Sequence, residues 1–263
     1  SPAHLRTAPR VGFLSYFSVL PVHPSLLHLG FLTIPTFGLL TAVGLMLALA
    51  LSLRTATLTG LNSDRLWNAG LFAVLAAFVL SRVLLVVTNL HSFFTYPILL
   101  LMVPSLTPLG LLLTVIATAI YLRLRDLPLL PTLDAWAPCA TLAWAFLALG
   151  HFAEGSDPGL PSTLPWAVSR QHPVAIYAAI VAAVFTVVLY THLLRRRKAG
   201  DTAALGFALV GLAQFLLSFL REPAGYDSKL GNLLDPLQWL ALGMIVLAGV
   251  LWQQPRRVAA HAV

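Results

Sequence analysis

The sequence predicts an all-α polytopic membrane protein with about seven transmembrane helices. Of its 263 residues, 59% are apolar and only 10% are charged, whereas an ordinary soluble domain has about 25% charged residues. The mean hydropathy is +0.87. Because one helical span needs about 20 apolar residues, this length accommodates about six to eight spans and leaves little material for a soluble domain. A water-soluble enzyme is therefore excluded.

Seven apolar stretches are bracketed by charges and turn residues, and each is predicted to be a membrane-spanning helix. The stretches are long, do not alternate in polarity and have modest β-branched content, which favours helices over a transmembrane barrel. In chain order they are Leu32–Leu53, Leu66–Val87, Leu99–Leu122, Leu129–Phe152, Pro173–Leu194, Ala203–Leu220 and Pro236–Trp252.

The chain divides into three parts. Residues 1–31 are predicted to form an extracytoplasmic or interfacial segment, because Val11–Gly30 is apolar but interrupted by Pro21 and Pro24. Residues 32–253 form the seven-helix transmembrane domain, and residues 254–263 form a cytoplasmic tail.

Lysine and arginine are concentrated in alternate loops. These loops contain Arg54 and Arg65, Arg123 and Arg125, Arg195, Arg196, Arg197 and Lys198, and finally Arg256 and Arg257. The positive-inside rule places them in the cytoplasm, so the N-terminus lies outside and the C-terminus inside. The net charge of +7 is thus explained by membrane topology, and we expect no nucleic-acid partner. The single cysteine, Cys139, excludes an intramolecular disulfide and a cysteine-based metal cluster.

Of the Asp, Glu, Lys and Arg residues, two lie within the predicted spans, where an unpaired charge costs a few kcal/mol. Arg82 is near the end of the second span. It has two interpretations of similar weight: a guanidinium that extends to the interface, or one that binds an anion or a lipid headgroup. Asp134 is near the start of the fourth span, and we interpret it mainly as the N-cap of that helix.

The densest polar cluster follows the fourth span and is predicted to face outward. His151 and Glu154 are three residues apart, so on a continuing helix they share a face and provide a general base with an orienting carboxylate. A zinc site is an alternative that needs a third ligand, for which His172 is a candidate. A solvated loop with Gly, Asp and Pro turns is the plainest alternative. In the sixth span, Gln214 and Ser218 share a face and Arg221 follows at the helix end.

In order, the segments resemble the prolipoprotein diacylglyceryl transferase family, from about Pro21 onward. The family's Asp-x-x-Ala-Pro is similar to Asp134–Pro138. Its Gly-Arg-x-Gly-Asn-Phe and Asn-Gly-Glu-x-x-Gly signature is similar to the stretch from Ala148 to Gly159, and its His-Pro-x-Gln-x-Tyr to His172–Tyr177. The remaining similarities are Phe37-Gly38 to a Tyr-Gly pair, Ser81-Arg82 to a Gly-Arg pair, Gln214–Arg221 to Arg-x-x-x-Glu-Phe-x-Arg, and Gln238-Trp239 to a closing Gln.

Several family positions are replaced in this chain. The family's His-Gly-Gly motif aligns with Thr107-Pro108-Leu109, its signature arginine with Ala148, and its sixth-span arginine with Gln214. The resemblance implies that both arginines hold the phosphate-bearing headgroup, a role that other side chains do not easily take over. The fold is therefore expected to carry over more completely than the chemistry.

The resemblance implies a transferase that moves a diacylglyceryl or related lipid group at the outer leaflet of the bacterial cytoplasmic membrane. The expected partners are a phosphatidylglycerol-like phospholipid and a lipoprotein precursor peptide, without a cofactor or a resident metal. We expect His151 and Glu154 to be catalytic, and Arg82, Asp157, His172, Gln214 and Arg221 to bind substrate. The alternative is a non-catalytic lipid-binding or scaffold paralogue. A transporter is a weaker third hypothesis, because only Arg82 and Asp134 resemble paired intramembrane charges.

Overall fold

The computed structural model describes residues 25–29, 32–95, 108–221 and 234–253 of the chain. Within these ranges a short antiparallel hairpin of β1 (Ser25–Leu29) and β2 (Leu32–Pro35) precedes eight helices. The helices are α1 (Thr36–Thr59), α2 (Ser63–Thr88), α3 (Leu90–Thr95), α4 (Pro108–Leu124), α5 (Leu129–Glu154), α6 (Val174–Leu194), α7 (Asp201–Ser218) and α8 (Pro236–Gln253).

Five of these helices, α1, α2, α5, α6 and α7, are long and apolar enough to cross a membrane. The apolar parts of α4 and α8 are shorter, at Leu109–Leu124 and Leu237–Gln253. The prediction of a polytopic, helical membrane protein is therefore confirmed, while the count of seven spans stays a prediction. The segment before Ser25, the start of the third predicted span at Leu99 and the tail after Gln253 lie outside the described residues.

The first helix begins and ends later than the sequence analysis predicts. Leu32–Pro35 is a strand, and α1 starts at Thr36, because a proline restricts the residue before it to extended conformations. The helix then continues past Arg54 to Thr59 and stops at Gly60, whose φ of 73° is readily adopted by glycine.

The helices pack through small residues. α5 is central and contacts α1, α6 and α7, while α8 packs on α7 and α4 on α2. A Cβ at Gly44 of α1 would overlap the side chain of Phe146 of α5, and one at Gly211 of α7 would lie 2.8 Å from the carbonyl oxygen of Ala241 of α8. Close packing of this kind is a main source of helix association in lipid, where the hydrophobic effect contributes little.

The bundle has two chemically different ends. At the end that we call the loop end, α5 and α7 terminate and α1, α6 and α8 begin, and residues 155–173 form an ordered loop over them. The opposite end, called the arginine end, has the α1–α2, α4–α5 and α6–α7 connections. It holds Arg54, Arg65, Arg123, Arg125, Arg195, Arg196, Arg197 and Lys198.

Asp134 is at the arginine end, and the structure corrects its predicted role. It lies inside α5, whose N-cap is Pro128, so it does not cap its own helix. Its carboxylate is fully buried and accepts hydrogen bonds from the backbone N–H groups of Gly200 (2.7 Å) and Ala203 (2.8 Å) and from Arg196 Nη1 (2.9 Å). Gly200 is the N-cap of α7 and has no side chain to offer, so Asp134 caps that helix from a neighbouring one.

Candidate active site

The candidate site is a cavity of about 130 Å³ at the loop end, which we call the polar cavity because the polar residues His151, Asp157, Gln171 and His172 are part of its lining. Three predicted site residues, His151, Asp157 and His172, line it together. They come from the last turn of α5, from the loop and from the residues just before α6. A single cavity that brings together two imidazoles and a carboxylate is equipped for proton transfer.

The end of α5 positions His151. Gly155 ends the helix in a left-handed conformation with a φ of 69°, and the chain turns back so that the Ser156 N–H donates to the His151 carbonyl (3.1 Å). The same turn brings Ser156 Oγ to 2.8 Å from His151 Nδ1. On its other side the imidazole contacts the Phe37 ring, with 4.8 Å between centroids.

Ser156 was not identified as a site residue from the sequence. The imidazole partner expected there was Glu154, which is exposed at the end of α5. Within the part of the chain that the structure describes, no hydrogen bond or ion pair joins Glu154 to His151. The signal for Ser156 is Gly155, because a glycine just after a helix predicts a turn that folds the next residue back.

The loop over the site is a small, hydrogen-bonded hairpin. The Ser162 N–H donates to the Arg170 carbonyl (2.8 Å) and the His172 N–H to the Leu160 carbonyl (3.0 Å). Within the loop, Ser169 and Arg170 form a tight turn between Val168 and Gln171, with φ values of 52° and 62°, as two-residue hairpin turns require. The Leu160 N–H also donates to the Leu220 carbonyl (2.8 Å), which attaches the hairpin to the end of α7. The turns expected of a solvated loop are therefore present, and these hydrogen bonds hold them in one ordered arrangement.

An ion pair joins the loop to the residues after α7. Arg221 Nε is 3.2 Å from Asp157 Oδ1, with both side chains about one-fifth exposed. The Nε–H group is not aligned for a hydrogen bond, so the contact is an ion pair without the directional component that strengthens a charged hydrogen bond. Arg221 thereby places a guanidinium beside a carboxylate that lines the cavity.

His172 has a free ring nitrogen at this site. Its Nδ1 is buried and has no hydrogen-bond partner among the described residues. Its ring lies edge-on to Tyr177, with 6.3 Å between centroids. Tyr177 Oη in turn accepts a hydrogen bond from Trp166 Nε1 (2.7 Å), which attaches the hairpin to α6. A buried polar atom without a partner is costly in a protein at rest, so this nitrogen is available to a ligand.

Gln214 and Arg82 do not join this cavity. Gln214 lines a second, mainly apolar cavity of about 290 Å³ between α5, α7 and α8, together with Trp136, Trp144 and Met244. Arg82 is on α2, which packs mainly on α1 and α4, and its Cζ lies 5.5 Å from the Phe78 ring centroid. Arg82 is not among the described residues that line the polar cavity.

Two further observations bear on the chemistry. Ala148, which the sequence resemblance aligns with the family's signature arginine, is buried in an apolar cluster with Val174, Ala178 and Leu217, so this position itself provides no cation. Across the described ranges, no group of three or more His, Cys, Asp or Glu side chains is placed to hold a metal ion. The zinc alternative, with His151 and Glu154 as a pair and His172 as the third ligand, is thus not assembled by the described residues.

Comparison with known proteins identifies the family. The prolipoprotein diacylglyceryl transferase family model matches residues 24–253. A phosphatidylglycerol–prolipoprotein diacylglyceryl transferase of Polynucleobacter asymbioticus is 34% identical over 122 residues, which is 43% of this chain and 47% of the relative. Enzymes of the same name from Paracidovorax citrulli and Idiomarina loihiensis are 30% and 29% identical, over 58% and 56% of this chain and 61% and 59% of the relatives.

The chain thus spans about half to three-fifths of the length of these relatives. The family match itself extends across the β1–β2 hairpin, the helices of the bundle and the loop over the candidate site. The chain belongs to the prolipoprotein diacylglyceryl transferase family.

Proposed function

We propose that this protein is a membrane-embedded transferase that moves a diacylglyceryl or related lipid group at the loop end of the bundle. The donor is a phosphatidylglycerol-like phospholipid and the acceptor a lipoprotein precursor peptide, the substrates that the relatives' names contain. The observation that carries the proposal is the polar cavity shared by His151, Asp157 and His172. We also propose that the loop end faces outward from a bacterial cytoplasmic membrane.

His151 acts as the general base. With Nδ1 in contact with Ser156 Oγ, Nε2 is the ring nitrogen left to accept a proton from the acceptor's thiol. The thiolate then forms a bond to a glyceryl carbon of the donor while the bond from that carbon to the phosphate oxygen breaks. The leaving glycerol phosphate keeps the electron pair of that bond, and the imidazolium gives its proton to the leaving phosphate oxygen.

Arg221 and His172 receive the donor's headgroup. Arg221 places a cation next to the cavity through its contact with Asp157. Arginine suits phosphate because its planar fork of N–H donors matches two phosphate oxygens. The unpartnered Nδ1 of His172 provides a further contact for a polar group of the substrate.

The apolar cavity at Gln214 receives an acyl chain of the donor. On α5, Trp144 lines this cavity and His151 lines the polar one, seven residues further along the same helix face. Arg221 follows Gln214 at the same spacing, three residues beyond the end of α7. The two cavities thus follow each other along α5, where the helical rise from Trp144 to His151 is about 10 Å, an order that matches the headgroup and tail of a lipid.

The second candidate is a lipid-binding or scaffold protein of the cell envelope without catalysis. The residues Ala148 and Gln214 favour it, because neither provides the positive charge that the family has at these positions. Both candidates require phospholipid at the loop end, and they differ in whether a bond is broken there.

The test is a transfer assay followed by mass spectrometry. The detergent-purified protein is incubated with phosphatidylglycerol and a peptide with a lipoprotein-type cysteine, and both diacylglyceryl peptide and released glycerol phosphate are measured. The transferase predicts both products in equal amounts. Phospholipid that co-purifies but yields neither product would contradict the transferase and support the scaffold.

A further inference from the structure

A second polar pocket lies at the arginine end, far from the chemistry proposed above. It has a volume of about 260 Å³ and opens between the start of α2 and the end of α4. Its lining consists of Arg65, Asn68, Tyr121, Leu124, Arg125 and Asp126. Neither the family resemblance nor the proposed reaction uses any of these residues.

The backbones that carry the two arginines are held firmly. The Arg65 N–H donates to the Oδ1 of Asn62, the N-cap of α2 (3.0 Å). At the end of α4, the Arg125 N–H donates to the Tyr121 carbonyl (3.0 Å) and the Leu127 N–H to the Leu122 carbonyl (2.9 Å). These bonds fix both sides of the pocket before any ligand arrives.

Aromatic contacts orient the Arg125 side chain. Its Cζ lies 5.5 Å from the centroid of the Tyr121 ring, within the range of a cation–π interaction. Tyr121 stacks in turn on Phe72 of α2, with 4.3 Å between centroids and an interplanar angle of 13°. Below the pocket, Ala69 and Leu122 belong to a buried cluster that joins α2 to α4.

The two guanidinium groups are available for an anion. Elsewhere at the arginine end, Arg196 is paired with Asp134 and Lys198 with Asp201. Among the described residues, no carboxylate is within ion-pair distance of Arg65 or Arg125. Asp126 lines the same pocket and reduces its positive potential without cancelling it, since two cations face one carboxylate.

The rim of the pocket points to the source of the anion. Leu124 lines the pocket and is 77% exposed, and Ile120, one turn earlier on α4, is 54% exposed. The helix α4 is apolar and packs on the candidate span α2, so we take its exposed apolar residues to face lipid tails. The polar pocket therefore opens where the tails end and the headgroups begin, and basic pockets between helices at this depth bind anionic lipid headgroups.

We propose that this pocket binds the phosphate of an anionic phospholipid from the leaflet at the arginine end, with Arg65 and Arg125 on the phosphate and the acyl chains along Leu124 and Ile120. The site is independent of the transfer reaction. It is a structural lipid site that secures the α2–α4 pair in the membrane.

The test is native mass spectrometry of the whole protein, released from zwitterionic detergent micelles after titration with phosphatidylglycerol. The change is the double variant Arg65→Ala, Arg125→Ala, and the matched control is Arg54→Ala, which removes an exposed arginine at the same end outside the pocket. We expect the double variant to bind one of its lipids about tenfold more weakly. Arg54→Ala should bind like the wild type.

A third variant, Asp126→Asn, is expected to raise the affinity for the lipid. It tests the site even if the double variant does not fold. Loss of the carboxylate should strengthen retention of the same lipid about fivefold, an increase that a purely structural role would not produce. Equal lipid binding in all variants would overturn the proposal. Displacement of the lipid by inorganic phosphate at equal concentration would also overturn it, because it would assign the pocket to a free anion.

The variant Arg221→Ala distinguishes phosphatidylglycerol binding at the loop end from binding at the arginine end. If phosphatidylglycerol binding falls in this variant and not in Arg65→Ala, Arg125→Ala, the arginine-end site is rejected while the proposed transferase stands. If Arg221→Ala and the double variant each weaken lipid binding, and the two losses add when all three changes are combined, both sites exist. If transfer activity fails while the arginine-end variants still weaken binding, the proposed function alone is rejected.

Discussion

At the scale of single residues, Gly159 determines how closely the loop can lie on the start of α6. A Cβ at this position would overlap the carbonyl oxygen of His172 and would lie 2.9 Å from both His172 Cβ and Val174 Cγ2. Gly159 also pairs with Arg221 in an antiparallel bridge. A single hydrogen in place of a side chain therefore allows the segments that carry Asp157, His172 and Arg221 to meet.

Gly159→Ala should displace His172 and open the cavity. Overpacking a close contact of this kind costs about 1–3 kcal/mol, so we expect a lower Tm in detergent and a weaker transfer activity. The matched control is Gly243→Ala in α8, where an added Cβ meets nothing within 4 Å. An unchanged Tm for Gly159→Ala, equal to that of the control, would show that the loop is not held in this register.

Single residues also show how far the sequence could predict the site. His151, Asp157 and His172 stand out because polar residues are rare in an apolar chain, and the structure places them in one cavity. The contact of Asp157 with Arg221 joins residues that are 64 positions apart, and no local spacing encodes it. Ser156 contacts His151 through a left-handed turn at Gly155, for which the glycine is the signal.

At the scale of secondary-structure elements, Asp134 of α5 provides the cap for the N-terminus of α7. The N-terminus of α7 begins at Gly200, which has no side chain, and the buried carboxylate from α5 satisfies two of its N–H groups. Arg196 pairs with the same carboxylate and donates from Nη2 to the Thr59 carbonyl at the end of α1 (3.1 Å). The Asp134–Arg196 pair thus links the end of α1, the first part of α5 and the α6–α7 connection.

Asp134→Ala should strongly destabilise the bundle. The change removes three hydrogen bonds and leaves Arg196 partly buried without its counter-ion, which costs about 3–5 kcal/mol. The measurement is thermal unfolding in detergent, with Asp64→Ala as the control, because Asp64 is an exposed acid in the first turn of α2. Equal Tm values for the two variants would contradict the role that we assign to Asp134.

Element boundaries were predictable where a long apolar stretch ends at a charge or a glycine. In lipid, such a stretch can satisfy its backbone hydrogen bonds only by forming a helix. The start of α1 was misplaced by four residues because Leu32–Pro35 is apolar but pairs with β1. The hairpin over the site was not predicted, since its paired segments, 160–162 and 170–172, are too short to carry a periodic apolar pattern. The capping role of Asp134 depends on contacts more than 60 residues away in sequence.

At the scale of the whole molecule, the distribution of charge indicates an orientation in the membrane. Arg54, Arg65, Arg123, Arg125 and the Arg195–Lys198 cluster gather at the arginine end. Arg170 and Arg221 are at the loop end, where Glu154 and Asp157 also lie. An excess of lysine and arginine marks the cytoplasmic side, which is the basis for placing the candidate site on the outer face.

Cysteine labelling of intact cells tests this orientation. We expect Arg170→Cys at the loop end to react with a membrane-impermeant maleimide from outside, and Arg123→Cys at the arginine end to react only after the membrane is opened. The single native cysteine, Cys139, is 6% exposed and should give little background. Labelling of Arg123→Cys alone in intact cells would reverse the orientation and place the site in the cytoplasm.

The most direct test of the proposed mechanism is the single-turnover rate of lipid transfer in His151→Ala. If His151 is the general base, the rate should fall by about 10²–10⁴-fold while bound phosphatidylglycerol and Tm remain close to those of the wild type. His192→Ala, a histidine at the arginine end that contacts Thr202, is the control and should retain transfer. A His151→Ala protein that transfers the lipid group at the wild-type rate would contradict the assignment of catalysis to this cavity.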